Sequence, residues 1–200
     1  MRERISDFFR NSNPVILILL VIMAAESIME NHMSVGDWFY TKLLILPGII
    51  IGLSFHEAAH ALVSYKLGDP TPKMQGRVSI NPLAHIDWVG FASLIFVGFG
   101  WGRPVEINPA NFKNRRRDEL LVSLAGVVMN LIIAVIFAFV AKILLAVLGY
   151  SFLSGTFGNI LWTMVIDIVI INLALMIFNL IPCPPLDGFS VITEIFNLKT

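Results

Sequence analysis

Long apolar stretches alternate with short polar ones along this chain. Read from the N-terminus, the apolar runs predict membrane-crossing helices at about Pro14 to Ile28, Leu43 to Val63, Leu120 to Leu148 and Phe157 to Ile181. Pro47, Gly48 and Gly52 in the second run allow close packing or a bend. Between the second and third runs, Val89 to Trp101 is apolar but too short for an ordinary crossing, and it carries Gly90, Gly98 and Gly100. It predicts a re-entrant or strand-like segment whose edge is able to pair with an extended peptide. The flanking polar stretches, Tyr65 to Asp87 and Gly102 to Glu119, are too short to fold alone. The expected fold is an all-α polytopic membrane protein of about four transmembrane helices, with residues 1–200 as one domain.

Composition agrees with that pattern, with 56% hydrophobic residues, 14% charged residues and a mean hydropathy of +0.79. The formal net charge is zero and basic residues are scattered apart from Arg115-Arg116-Arg117, which argues against a nucleic-acid surface. The basic residues instead predict topology. Arg2, Arg4 and Arg10 precede the first run, and Lys66, Lys73, Arg77, Arg103, Lys113 and Arg115 to Arg117 lie between the second and third, while Glu26 to Tyr40 and Tyr150 to Gly158 have none. Since Lys and Arg collect on the cytoplasmic side, the N-terminus is expected inside. The late half of the second crossing and the exit of the fourth then face the cytoplasm. The first run lacks a small-residue cleavage site and reads as a retained crossing, not a signal peptide.

The second run contains His56-Glu57-Ala58-Ala59-His60. On a helix, residues four apart share a face, so both imidazoles can grip one Zn²⁺ while Glu57, one position round, reaches a water activated there. Ionisable side chains are expensive inside a membrane and are usually functional, which disfavours a packing cluster. A catalytic zinc needs a third protein ligand, and Cys183, the only cysteine, rules out a cysteine-rich site. Asp187 is the strongest candidate. Pro182, Pro184 and Pro185 forbid ordinary helix before it, and Gly188 permits close backbone approach after it.

Other polar residues invite a role with less force. Asn179 and Asn130 are candidates for contact with a bound substrate, although an intramembrane Asn also joins helices. Asn172 reads as interhelix packing, and Asp167 inside the fourth crossing as a structural group needing a partner or a proton. His85 and Asp87 have weak metal-pair spacing and read as loop anchors. Lys142 is expected to snorkel to the interface. Cys183 reads as packing, and His32 as a solvated loop residue.

Taken with Asn179…Asp187-Gly188, Gly76 to Asp87, Gly102 to Phe112 and Leu124-Ala125-Gly126-x-x-x-Asn130, the His56-Glu57-x-x-His60 motif resembles the site-2 proteases, intramembrane zinc metalloproteases. The resemblance runs from the second crossing to Gly188 in order; Trp88 and Val127 stand where that family usually has proline. It implies one zinc per chain held by His56, His60 and Asp187, with Glu57 as general base. Asn179 would help hold the substrate or the developing oxyanion. It further implies hydrolysis within or near transmembrane segments of membrane protein substrates. The charge pattern sets the site toward the cytoplasm, in the cell membrane, and the absence of PDZ-like or CBS-like segments suggests a minimal form of the family. Two alternatives use the same residues: a membrane metal-ion carrier and an inactive zinc-bound scaffold.

Overall fold

In the computed structural model residues 14–30, 32–98 and 100–198 are described, and among them the regular structure is helical with no strand. The helices are α1 (Pro14–Glu30), α2 (Val35–Lys66), the single turn α3 (Thr71–Met74), α4 (Trp88–Val97), α5 (Arg115–Leu153), α6 (Thr156–Asn179) and α7 (Asp187–Phe196), with 3₁₀ turns at Pro82–Ala84 and Pro109–Asn111. Among the described residues α2, α5 and α6 are long and apolar enough to cross a membrane, as an integral membrane protein requires. The basic N-terminal segment read as a topology signal lies outside the described residues.

The helix ends have local causes. Ser34 caps α2 by accepting the Asp37 N–H at 3.1 Å, so this helix starts well before the apolar run at Leu43 and continues through Pro47. Inside α5, Gly149 adopts φ +74°, so the long helix breaks just beyond the expected end at Leu148.

α2, α5 and α6 pack against one another, and their polarity is reversed relative to a water-soluble bundle. Ser54, His56, His60, Asn130 and Asn172 are buried, while Phe139 is 61% and Val147 74% exposed. In water such faces would cost roughly 25 cal/mol for each Å² of apolar surface, a penalty that hydrocarbon removes. Small residues let the backbones approach: a methyl on Gly48 would lie 2.7 Å from Ile171 Cδ1, and one on Gly52 would lie 2.6 Å from Leu175 Cδ1.

The short apolar segment departs from its strand-like expectation. Trp88–Val97 is α4, started by Asp87, whose carboxylate accepts the Gly90 N–H at 2.8 Å, and ended by Gly98 in the left-handed conformation. A helix satisfies its own backbone groups, which an isolated strand in apolar surroundings cannot do, so α4 offers no pairing edge. Its Phe96 ring stacks on Trp38 of α2 at 5.5 Å.

Asp69 organises the polar connection from α2 to α5. Its buried carboxylate accepts from Ser64 Oγ (3.1 Å), the Asn108 N–H (2.8 Å), Asn111 Nδ2 (2.7 Å) and both the N–H (3.1 Å) and hydroxyl (2.6 Å) of Thr71. Burial alone would raise its pKa, but these donors favour the ionised form and bring it down to about 2. A carboxylate lowered below its ordinary 3.8 stabilises the fold fully above that value, and the contribution disappears as pH falls through about 2. In Asp69→Asn this part of the acid sensitivity is expected to vanish and resistance at neutral pH to fall by on the order of 2 kcal/mol. Limited proteolysis of the 102–114 connection across pH checks both.

Candidate metal centre

The helix dictated by the sequence puts His56 and His60 one turn apart on α2, and their ring nitrogens Nε2 lie 3.0 Å from each other. The third group arrives from the far end of the chain. After α6 ends at Asn179, the proline-rich turn 180–186 doubles back and Asp187 opens α7. The return is tight at Gly188, where a methyl would sit 2.3 Å from the Leu180 carbonyl oxygen. Asp187 Oδ2 consequently lies 3.1 Å from His56 Nε2 and 3.3 Å from His60 Nε2. At the other end of α7, Arg116 donates to the Glu194 and Ile195 carbonyls at 2.6 and 2.7 Å, tying that helix to the start of α5. Arg116 of the arginine triplet therefore holds the helix that carries Asp187.

Among the described residues, His56, His60 and Asp187 form the group of metal-ligating side chains dense enough to share an ion. Their spacing fits zinc: tetrahedral bonds of about 2.0 Å separate adjacent donor atoms by about 3.3 Å. Asp187 Oδ2 is buried without a hydrogen-bond partner, although two imidazole nitrogens stand beside it. His60 Nδ1 faces the Val122 carbonyl oxygen at 2.8 Å, so its proton belongs there and Nε2 turns a lone pair toward the carboxylate. Lone pairs converging at this range repel unless a cation lies among them.

α5 forms the back of the centre. A methyl on Gly126 would lie 2.4 Å from His60 Nε2 and 2.5 Å from His56 Cε1, and Asn130 places its amide nitrogen 3.2 Å from His56 Nδ1. From sequence Gly126 enters only as part of a family motif with no role of its own, and the Val122 carbonyl does not enter at all. The signal was present in Gly126-x-x-x-Asn130, whose spacing puts both residues on one helix face.

Glu57 projects to the side of the three donors and is half-buried. Its Oε2 accepts the Val105 N–H at 3.2 Å, and Gly102 lies against its side chain. This non-helical stretch is held from behind. His85 offers its carbonyl to the Arg103 N–H at 2.7 Å, and buried Arg77 donates to the carbonyls of Ala84 and Arg103. His85 itself is fully buried, with Nε2 donating to the Ser79 carbonyl at 2.7 Å. Burial lowers its pKa, the Ser79 bond opposes this and the nearby Arg77 charge reinforces the lowering, which favours the neutral ring. Asp87 is occupied in capping α4, so His85 and Asp87 both anchor loops.

The remaining polar candidates fall elsewhere. The Asn179 amide donates to the Leu175 carbonyl of its own helix at 3.0 Å and is not joined to the three donors. Asn172 is buried at the α2–α6 contact, facing Gly52 and donating to the Ile168 carbonyl. Asp167 is half-buried on α6, Lys142, His32 and Cys183 are exposed, and His32 has φ +50°.

The fold and centre define a class: apolar helices long enough for a membrane, enclosing a two-histidine, one-carboxylate cluster with a glutamate alongside. Comparison with known proteins narrows it. The chain is 40% identical over 162 residues to a Bacillus subtilis protein named "Putative zinc metalloprotease YwhC", covering 79% of this chain and 73% of that protein. It is 24% identical over 196 residues to "Putative zinc metalloprotease Rip2" of Mycolicibacterium smegmatis, covering 94% and 72%. The Mycobacterium tuberculosis Rip2 protein matches at 24% over 156 residues, covering 75% and 56%. No family model and no solved structure matches. The chain belongs to the site-2 protease family of zinc metalloproteases.

Proposed function

We propose that this chain hydrolyses peptide bonds within or near transmembrane segments of membrane proteins, with one zinc held by His56, His60 and Asp187 and with Glu57 as general base. The observation that carries the reading is the convergence of three donor atoms at 3.0–3.3 Å, with Asp187 Oδ2 buried and without a hydrogen-bond partner. Zinc bound there supplies Lewis acidity, polarising the scissile carbonyl and lowering the pKa of an attacking water toward about 7. Glu57 takes the proton from that water and returns it to the leaving amine. The Val105 N–H holds its carboxylate in place between the two transfers. Buried walls around the histidines keep other water away from the reacting groups.

The topology in this proposal has four crossings, with α1 as the first and α4 re-entrant beside Trp38. The N-terminus and the metal end of the bundle face the cytoplasm, in the cell membrane, and the whole chain acts as one domain. Such a substrate must be locally unwound, because a helix hides its carbonyls in its own hydrogen bonds.

Purified protein supplied with zinc is expected to hold one equivalent and to cut members of a panel of single-span membrane substrates. In Asp187→Ala both zinc content and cleavage should drop toward zero. A wild-type protein that binds no zinc, or an Asp187→Ala variant that keeps wild-type affinity, would overturn the ligand assignment. Zinc binding without cleavage of any panel member favours the inactive scaffold, and zinc flux across vesicles favours the carrier.

A further inference from the structure

We infer that Asn130 is a positioning residue for the metal centre, its amide oxygen accepting the Nδ1 proton of His56 and so turning the Nε2 lone pair of that ring toward the zinc. This rests on the ligand assignment proposed above and goes beyond it by naming what orients one of the ligands.

Asn130 is fully buried in the middle of α5, and its amide touches the side of the His56 ring opposite Asp187. A residue buried in that place touches the His56 ring, so the role assigned to it here is one exerted through His56. With the amide nitrogen toward His56, Nδ1 must be the acceptor and the ring proton must sit on Nε2. That proton would point into the group formed by His60 Nε2 at 3.0 Å and Asp187 Oδ2 at 3.1 Å, and His56 would be no ligand. The same arrangement leaves Asn130 Oδ1 buried without a partner. Amide oxygen and nitrogen have nearly the same shape, so turning the group by half a revolution changes no packing. It resolves the tautomer: Oδ1 gains the Nδ1 proton as a donor and Nε2 gains a lone pair.

His60 has the equivalent support already. Its Nδ1 faces the Val122 carbonyl oxygen at 2.8 Å, on the same helix. Val122, Gly126 and Asn130 are spaced by four, so they form one face of α5. One acceptor stands at each end, with a gap between that only a glycine leaves open for the two rings. The seat thus sets the tautomer of both histidines before metal arrives.

The test uses the full chain in detergent or nanodiscs, with zinc affinity measured by competition against a chromophoric chelator and the cobalt-substituted protein read by visible absorption. Asn130→Leu keeps the volume and removes the acceptor, and zinc affinity is expected to fall by about 10–100-fold, with an altered cobalt spectrum. Asn130→Asp keeps an acceptor oxygen and loses the amide donor, and it should retain wild-type affinity or better and the wild-type cobalt bands. Equal zinc affinity in Asn130→Leu and wild type overturns the proposal. So does an Asn130→Asp protein of wild-type helicity that loses zinc, which decides the matter even where Asn130→Leu fails to fold. A wild type that binds no zinc would instead remove the ligand assignment itself, an outcome separate from the other two.

Discussion

Glu57→Gln is expected to leave zinc bound at full stoichiometry and to lower peptide hydrolysis by roughly 10²–10⁴-fold. Glutamine has the length and shape of glutamate, and its amide oxygen can still accept the Val105 N–H that Glu57 accepts at 3.2 Å. What disappears is the proton transfer proposed for Glu57, from water and back to the leaving nitrogen. The three metal donors are untouched, because Glu57 lies beside them and is not among them. Zinc content and single-turnover cleavage of a membrane substrate, measured on the same preparation, separate chemistry from metal binding. Retained cleavage in this variant would remove Glu57 from its role, and simultaneous loss of zinc would make it a structural member of the centre.

The second large effect is expected at a residue with no side chain at all. Gly126→Ala places a methyl 2.4 Å from His60 Nε2, 2.5 Å from His56 Cε1 and 2.7 Å from His56 Nδ1, all closer than real atoms approach. Both rings are buried. Either α5 moves away or the imidazoles turn, and in both cases the triangle of donors opens. Zinc affinity and cleavage should therefore collapse together. Helix content should not, since alanine in a helix interior is favoured over glycine by about 1 kcal/mol. An apo protein of undiminished helicity without zinc is the expected result, read by circular dichroism and metal analysis. Wild-type zinc affinity in Gly126→Ala would mean that α5 does not form the back of the centre as described.

Much of this arrangement is visible in the order of residues. The apolar runs anticipate α2, α5 and α6, and the four-residue interval between His56 and His60 forces the two rings to one side of any helix that carries them. Three prolines before Asp187 mark a turn, and Gly188 marks the close return that the structure shows against Leu180. Other features resist such reading because they depend on a partner distant in the chain. Nothing near Asn130 tells an interhelical contact from one with a histidine 74 residues earlier. Asp69 looks like a loop carboxylate until Asn108 and Asn111 come back to meet it. The stretch 88–97 is short and glycine-flanked, and its helix follows from an Asp87 cap and an apolar setting that length alone does not reveal.

By itself, then, the order of residues determined what is local: which runs are apolar enough to lie in a membrane, that His56 and His60 share a face, and that a proline turn delivers Asp187. Periodicity and backbone stereochemistry act over a few residues and need no partner. Tertiary structure alone decided that Asp187 reaches the histidines, that Gly126 and Asn130 stand behind them, and that Val105 lies on Glu57. Those contacts form between helices, where the closeness of two backbones depends on every side chain between them.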